Sequence, residues 1–437
     1  MHKSKTGPWF RWLSSVALLF GIIVLSVPIS RAENVTLRFV AANHPYLDAI
    51  KPLLPEFEKQ TGIKVAVESY EDIHLTPKLT VEFTSNASTI DVFMSRPLQE
   101  INLFNRNKWY EPLNNYINDK KMTAKDWNWA DFPQSARQAV TYEKTICSVP
   151  LVTEWQVVFY RKDLFQKAKL KPPKTMAELE AAAAKLNNPA AGMYGIVSRG
   201  QGNAGVTQLS SYIFNYGGDF IKNGKCVIDS PATVRAIRFY GKLLKNYGPP
   251  GCTNMSWPQA QALFASGKVA MWTDASTLMS GLVDPGKSVV ADKVGVAMFP
   301  AGPAGNHPFM VVSWSLAIPA QSKNKAAAWK FVEWATSKKI SVQAQLAGLT
   351  MARSSVWNDP LVKDKINPEL AMTAKKTGPI ATPYDRPLMS AVSEARDAIG
   401  EVLVKSIETG GTGNIDALAK SAANTVNGLL EKAGENK

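Results

Sequence analysis

Residues that bind metals or act as nucleophiles are scarce in this sequence. Its 437 residues include three cysteines and four histidines. Neither H-E-x-x-H nor paired C-x-x-C motifs occur, which argues against a zinc site. The G-x-S-x-G turn that presents a hydrolase serine is also absent. We therefore predict no metal, no cofactor and no catalytic residue.

Acidic residues are outnumbered by basic ones, 36 against 50, which gives a net charge of +14. Residues 1–32 hold four of the cations and no acid, so the remainder carries 14 − 4 = +10. The other Lys and Arg residues are scattered, without a basic helix or a dense patch interleaved with aromatics. This distribution favours solvated surface charge over binding of nucleic acid.

Long apolar runs are limited to one, "LSSVALLFGIIVLSVPIS" at residues 13–30. It follows a positively charged start and ends in Ser30-Arg31-Ala32. The pattern predicts a secretory signal peptide, residues 1–32, cut before Glu33. The run is shorter than the roughly 20 residues of a spanning helix, although an uncleaved anchor remains an alternative. We expect a soluble protein in the periplasm.

The three cysteines suit an exported chain that can keep a disulfide. Cys226 and Cys252 flank one predicted helix and lie close enough in sequence to pair, so we predict a disulfide between them. Two unpaired buried thiols are the alternative. Cys147 lies in the strand-like run "ICSVPLV" and is expected to be buried and inert.

Strand and helix patterns alternate along the chain, which predicts an α/β fold with mostly parallel sheets. The length is too great for one hydrophobic core and suits two or three domains. In open α/β sheets, ligands bind beyond the carboxyl ends of the strands. The residues that follow each predicted strand are therefore the candidate site.

Hydrogen-bonding groups follow nearly every predicted strand, and two strands are followed by Trp. The run Val269-Ala270-Met271 is read as a buried strand that ends before Trp272. Sugars need this mixture, because their hydroxyls donate and accept while their C–H faces lie on aromatic rings. Polar loops after strands are the alternative explanation at any one position. The candidates are Asn43, His44, Glu71, Arg96, Glu154, Trp155, Arg199, Trp272 and Asp274.

Two further motifs invite other functions. "GQGNAG", residues 200–205, matches the dinucleotide pattern G-x-G-x-x-G. No second strand ends in an acidic residue at the required distance, so we interpret it as a flexible or ligand-approaching loop. Glu154 and Asp274 form a possible acid/base pair for glycoside cleavage. As ligand acceptors they need no tuned pKa.

Several segments, in order, resemble the bacterial extracellular solute-binding proteins of ABC importers, in the carbohydrate-binding branch. They are "LPEFEKQTGIKV", "VPLVTEWQVVFYRKDLF", "FASGKVAMWTDAS", "VGVAMFPAGPAG" and "SWSLAIPAQSKNKAAAWKFVEWATSK". The resemblance implies two α/β lobes, joined by two or three crossings, that close on a ligand by hinge bending. It assigns 33–152 and 314–355 to an N-terminal lobe, and 153–313 and 356–437 to a C-terminal lobe.

The resemblance also implies a function and a set of contacts. The protein would capture a sugar or polyol and deliver it to the ABC permease as a monomer, without being an enzyme. Trp272 would be the aromatic platform, with Asp274 beside it, and Trp314 and Arg353 would join the ligand residues. An exported carbohydrate-active hydrolase remains an alternative, as does a carrier of a phosphorylated or other small solute.

Overall fold

The computed structural model describes residues 35–86 and 89–436, so the predicted signal peptide and its cleavage site lie outside the described residues. The strands of the described residues are β1 Thr36–Ala42, β2 Lys64–Tyr70, β3 Val92–Ser95, β4 Thr141–Tyr142, β5 Thr145–Ile146, β6 Val149–Arg161, β7 Ile221–Lys222, β8 Lys225–Cys226, β9 Met271–Ala275, β10 Val294–Met298 and β11 Met310–Ala317.

The α-helices of the same residues are α1 Pro45–Ile50, α2 Leu54–Thr61, α3 Asp72–Thr84, α4 Pro97–Arg106, α5 Asn114–Asn118, α6 Gln134–Ala139, α7 Lys162–Lys167, α8 Met176–Leu186, α9 Gly202–Asn215, α10 Pro231–Tyr247, α11 Trp257–Ala265, α12 Ser280–Val283, α13 Lys325–Ala335, α14 Lys338–Leu346, α15 Ser354–Trp357, α16 Pro368–Thr377, α17 Val392–Thr409 and α18 Ile415–Ala433. Helices thus alternate with strands along most of the chain, and the predicted α/β class is confirmed.

The main sheet has the strand order β10-β6-β11-β3-β1-β2, with β9 also paired to β6. Strand β1 runs parallel to β2 and β3. Strands β9, β10 and β11 run antiparallel to β6, and β11 is antiparallel to β3. Parallel pairing between the named strands is therefore confined to β1, β2 and β3, less than the sequence predicts.

Strand β6 is the longest strand described, with 13 residues, and its two halves have different neighbours. The half from Val149 to Trp155 pairs with β11. The half from Gln156 to Arg161 pairs with β9 on one side and β10 on the other. One continuous strand therefore runs from one group of elements into the other.

Buried apolar side chains form three large cores. The first core draws on residues 37–152 and 314–352. The second draws on residues 158–299 and 389–430, and the third on residues 155–296 together with Leu370. Each core therefore combines chain segments that are distant in sequence. The lobe boundaries predicted above remain a prediction, and these segments are consistent with them.

Local sequence signals account for several element boundaries. The chain before Gly62 forms two helices, α1 and α2, because Pro52 and Pro55 interrupt it with a short 3₁₀ turn at Lys51–Leu53. Gly62 ends α2 with φ of 72°, a left-handed conformation that glycine adopts freely. Thr175 caps α8 by accepting a hydrogen bond from the Glu178 N–H.

The predicted disulfide is wrong, because Cys226 and Cys252 are both free and buried. They lie beyond opposite ends of α10, whose 17 residues span about 25 Å at 1.5 Å per residue. A disulfide needs Cα atoms within about 7 Å. Burial raises the pKa of the Cys226 thiol to about 11 and that of Cys252 to about 12. Both thiols therefore stay protonated at neutral pH.

Candidate ligand-binding cleft

A cavity of about 310 Å³, here called the cleft cavity, lies between side chains of the first core region and those of the second and third. It opens at the carboxyl ends of β1 and β3 and at the middle of β6 and β11. Its polar and aromatic lining comprises His44, Asp72, Thr76, Arg96, Gln99, Glu154, Arg199, Gln201, Asn203, Thr207, Ser256, Trp257, Ser313, Trp314, Asp385, Arg386, Ser393, Arg396 and Asp397. A wider, more open groove of about 1050 Å³ shares His44 and Trp257 with it.

Arg96 forms one wall of the cleft cavity, where it follows β3 at the start of α4. Its guanidinium contacts the Glu100 carboxylate at 3.2 Å and stands over the Trp314 ring at 5.6 Å. Glu100 is fully buried and also accepts hydrogen bonds from Ser95 and Thr76. The carboxylate therefore fixes the orientation of Arg96 and leaves Trp314 as an aromatic surface beside it.

His44 presents an unused donor to the same cavity. Its Nδ1 accepts a hydrogen bond from the Tyr46 N–H at 3.1 Å at the start of α1, which leaves the proton of a neutral ring on Nε2. That Nε2 lies 3.6 Å from the Glu154 carboxylate and has no hydrogen-bond partner among the described residues. His44 also packs against Trp314, with ring centroids 5.3 Å apart. His44 and Glu154 thus offer a donor and an acceptor side by side.

Arg199 lines the cavity from the other side, and Asp274 holds it in place. The Asp274 carboxylate accepts hydrogen bonds from Arg199 Nε at 3.0 Å, from Gln208 at 2.9 Å and from the Ala275 N–H at 2.7 Å. Burial opposes the charge of Arg199, but the Asp274 carboxylate outweighs it and raises the pKa of Arg199. Asp274 is itself fully buried and absent from the cavity lining. Its predicted role as a hydroxyl acceptor is therefore corrected to that of a positioning residue.

Trp272 is a core residue, so its predicted role as an aromatic platform for the ligand is corrected. Strand β9 continues to Ala275 in register with β6, so Trp272 lies inside the strand and not after its end. Its side chain is fully buried, with ring centroids 5.2 Å from Phe159 and 6.4 Å from Phe264. The predicted strand ends at Met271, four residues before the observed end at Ala275. For this reason the core side chain of Trp272 was assigned to the ligand site.

Trp155 and Arg353 are also buried away from the cavity. Trp155 belongs to the third core and donates its indole N–H to Thr373 at 3.0 Å. Arg353 is 1% exposed, contacts the Asp131 carboxylate at 3.0 Å and stands 4.4 Å from the centre of the Phe132 ring. Neither reaches the ligand space, so both predicted ligand contacts are corrected to structural roles.

The remaining candidates divide into two groups. His44, Arg96, Glu154, Arg199 and Trp314 converge on the cleft cavity. Asn43 and Glu71 are exposed and line a small recess beside it, together with Asp72 and Trp257. The structure thus brings residues from four predicted strand ends to one place.

Comparison with known proteins shows the family. A profile described as "Bacterial extracellular solute-binding protein" matches residues 41–341. The chain is a bacterial extracellular solute-binding protein. The resemblance predicted from the sequence is therefore confirmed.

Two curated relatives of this solute-binding protein cover most of its length. It is 31% identical over 330 residues to the mannitol-binding protein of Pseudomonas aeruginosa, with 74% of each chain covered. It is 26% identical over 335 residues to the erythritol/L-threitol-binding protein of Mycolicibacterium smegmatis, covering 73% of this chain and 70% of the relative.

Solved structures of related proteins share the fold of this solute-binding protein. An Agrobacterium vitis solute-binding protein with bound D-mannitol superposes with a TM-score of 0.81 at 28% identity. An Agrobacterium radiobacter solute-binding protein in complex with ribitol superposes with a TM-score of 0.82 at 28% identity. Each comparison covers 91% of this chain and 99% of the other. The predicted two-lobe fold is confirmed.

Sequence reasoning missed a group of cavity residues in this solute-binding protein. They are Gln99, Trp257, Asp385, Arg386 and Arg396. Arg396 carried a detectable signal, since it interrupts the apolar face of α17 between Ala395 and Ile399. A charged residue at a core position needs a partner or a function. Gln99 and Trp257 lie within the first turn of a helix and carried no comparable signal.

None of the described helices is long and apolar enough to cross a bilayer. Within the same residues, no group of three or more His, Cys, Asp or Glu side chains is placed to hold a metal ion.

Proposed function

We propose that this protein captures a sugar or polyol in the cleft cavity and delivers it to the membrane permease of an ABC importer. The observation that carries the proposal is one small cavity in which aromatic faces adjoin oriented donors and acceptors. The names of the relatives agree with it, since they bind mannitol and erythritol or L-threitol. Export to the periplasm, through cleavage after residue 32, and a monomeric state are parts of the same proposal.

The geometry suits a polyhydroxylated ligand. Trp314 and Trp257 approach the cavity from different cores and supply flat apolar surfaces for C–H groups. His44 Nε2 donates to a ligand oxygen, and the Glu154 carboxylate accepts from a neighbouring hydroxyl. His44 and Glu154 are both largely buried, so a ligand that leaves one of them unpaired loses affinity.

The size of the cavity limits the ligand. Its 310 Å³ corresponds to roughly ten water molecules at their liquid volume. That space suits one small sugar or polyol, and the wider groove that shares His44 and Trp257 lies beside it. The proposal therefore places the ligand among monosaccharides and polyols of similar size.

Capture needs no covalent chemistry. The acid/base alternative pairs Glu154 with Asp274, but the Asp274 oxygens are engaged by Arg199 and Gln208 and are shielded from the cavity. A carrier returns its ligand unchanged, and we propose that this protein does so. Closure is proposed to occur between lobes formed by residues 33–152 with 314–355 and by residues 153–313 with 356–437, hinged on β6 and β11.

Calorimetric titration of the mature protein with D-mannitol, ribitol, erythritol, D-glucose and maltose tests the proposal. We expect saturable binding of at least one of the four smaller ligands, and weaker or no binding of maltose. A ligand at 100 times its Kd should also stabilise the fold by about 2.7 kcal/mol. Absence of binding and of thermal stabilisation with every ligand, in protein that unfolds cooperatively, would contradict the proposed function.

A further inference from the structure

Four arginines line the cleft cavity: Arg96, Arg199, Arg386 and Arg396. Three of them each contact a buried carboxylate. Arg96 contacts Glu100 at 3.2 Å, Arg199 contacts Asp274 at 2.5 Å and Arg386 contacts Asp385 at 2.7 Å. These three pairs are locally neutral.

Arg396 has no carboxylate partner among the described residues. Its Nη1 donates to Gln99 Oε1 at 2.9 Å, and its Nη2 donates to the Asn203 carbonyl at 2.8 Å and to Thr207 Oγ1 at 3.1 Å. All three acceptors are neutral, and Nε has no partner in the described part of the chain. The side chain is only 5% exposed. A buried cation without a counter-charge is costly, and Arg396 is the one arginine of the four without an ion pair among the described residues.

The protonation of Arg396 reflects that imbalance. Burial, followed by repulsion from Arg386, lowers the pKa of Arg396 well below its usual value, and Asp385 offsets only part of this. An anion bound beside Arg396 would offset both effects. The unpaired guanidinium thus points to a ligand that carries its own negative group.

Helix α9 adds a second feature at the same place. No side chain caps its first turn, and Gln201, Asn203 and Ala204 of that turn line the cavity. The N-terminus of a 14-residue helix carries partial positive charge and free N–H groups that favour anions. The Gly-rich run 200–205 therefore lies beside the unpaired arginine.

The rest of the cavity is acidic. Asp72 accepts a hydrogen bond from the Trp257 indole at 3.3 Å, and Glu154 lies beside His44. Asp397 is exposed and accepts a hydrogen bond from Asn203 at 2.8 Å. Asp72 and Glu154 repel an anion and accept hydroxyls, so they orient a ligand with its anionic end toward Arg396.

We propose that the ligand is a sugar or polyol that bears one carboxylate, such as an aldonate or uronate, bound by Arg396 and the first turn of α9. The inference rests on the proposed function and names the class of ligand for the same cavity. A guanidinium N–H donates a charge-assisted hydrogen bond to a carboxylate. One carboxylate matches the single charge of Arg396, whereas a phosphate monoester brings about −1.5 to −2.

Calorimetry with D-mannitol, D-gluconate and mannitol 1-phosphate tests the inference. A charge-assisted hydrogen bond in this setting corresponds to about a 10- to 100-fold gain in affinity. We therefore expect D-gluconate to bind the wild-type protein 10- to 100-fold more tightly than D-mannitol. Equal or weaker binding of gluconate would overturn the inference while leaving the proposed function intact, provided that mannitol binds. Tighter binding of mannitol 1-phosphate than of gluconate would overturn the carboxylate assignment.

Substitutions identify the residue responsible. In Arg396→Gln the gluconate-to-mannitol affinity ratio should fall to about one, and in Arg396→Lys, which keeps the charge without the planar guanidinium, it should fall in between. Arg161→Gln is the matched control, because Arg161 is 8% exposed and pairs with Asp163 outside the cavity. This control should keep the wild-type ratio. A wild-type ratio in both Arg396 variants would overturn the assignment, and failure of every hydroxylated ligand to bind would overturn the proposed function as well.

Discussion

Exchanging each of two tryptophans for leucine should separate stability from ligand binding. Trp272 and Trp314 are both nearly inaccessible to solvent, at 0% and 4% exposure. Trp272 is enclosed by Phe159 and Phe264, whereas Trp314 borders the cleft cavity. Truncating a buried Trp to Ala costs about 3–5 kcal/mol, and Leu restores part of the lost volume. Both leucine variants should therefore fold with reduced stability, measured by urea unfolding.

Only Trp314→Leu should change affinity. An aromatic face contributes about 0.5–1.5 kcal/mol beyond the area that it buries, so its loss corresponds to a two- to tenfold rise in the Kd for D-mannitol, measured by calorimetry. Trp272→Leu should leave that Kd unchanged in the folded protein. Trp272→Phe is a further control, since the Trp272 indole N–H has no partner among the described residues and its removal relieves a buried polar group.

The opposite pattern would refute this assignment. If Trp272→Leu lost tenfold in affinity while keeping wild-type stability, Trp272 would be the ligand platform and β9 would end before it. If Trp314→Leu kept the wild-type Kd, Trp314 would be a core residue only, and the cavity would have to bind its ligand without this ring.

Three further predictions concern Arg353, its partner Asp131 and the two cysteines Cys226 and Cys252. Arg353→Met should lower the free energy of unfolding by about 3–5 kcal/mol, because it leaves Asp131 without its cation, while the Kd for D-mannitol stays constant. Burial raises the pKa of Asp131, but hydrogen bonds from Ser355 and Arg353 outweigh it and hold that pKa below its usual value. The ionised Asp131 carboxylate therefore stabilises the fold above about pH 3.9, and this stabilisation is lost as the pH falls toward the pKa of the folded state. Urea unfolding from about pH 6 to pH 3 should show a smaller decrease in the free energy of unfolding for Asp131→Asn than for the wild type. Thiol titration of the unfolded mature protein without reductant should find both Cys226 and Cys252 reactive. If neither reacts, the result would support the predicted disulfide.

Sequence alone predicted several residues that line the cleft cavity, because the carboxyl ends of neighbouring parallel strands lie at one edge of a sheet. His44 and Arg96 follow β1 and β3, which are parallel neighbours, so the rule about carboxyl ends applies to them directly. Glu154 lies within β6, and it reaches the cavity because β6 crosses between the two groups of elements. The family markers then supplied Trp314 through its place in the second crossing strand.

The errors have physical causes as well. A buried strand differs from the loop after it in its backbone hydrogen bonds to a neighbouring strand. The pairing of β9 with β6 is a contact between residues far apart in sequence, so no local sequence pattern reveals it. The Trp-x-Asp spacing at Trp272 and Asp274 therefore fits both a loop and a strand face. Arg386 and Arg396 come from segments nearly 200 residues after α9, the helix with which they share the cavity, so only the folded chain brings them together.

The interleaving of the cores has a consequence for the order in which the chain can fold. The first core is incomplete until residues 314–352 are present, although the intervening residues from 155 onward belong to the other two cores. The second core in turn waits for residues 389–430. Neither half can therefore close early as an independent unit, and folding depends on contacts of long sequence separation, which are slow to form. A truncated chain that ends before β11 lacks the strand between β6 and β3, and it should expose the apolar surfaces of both halves at once.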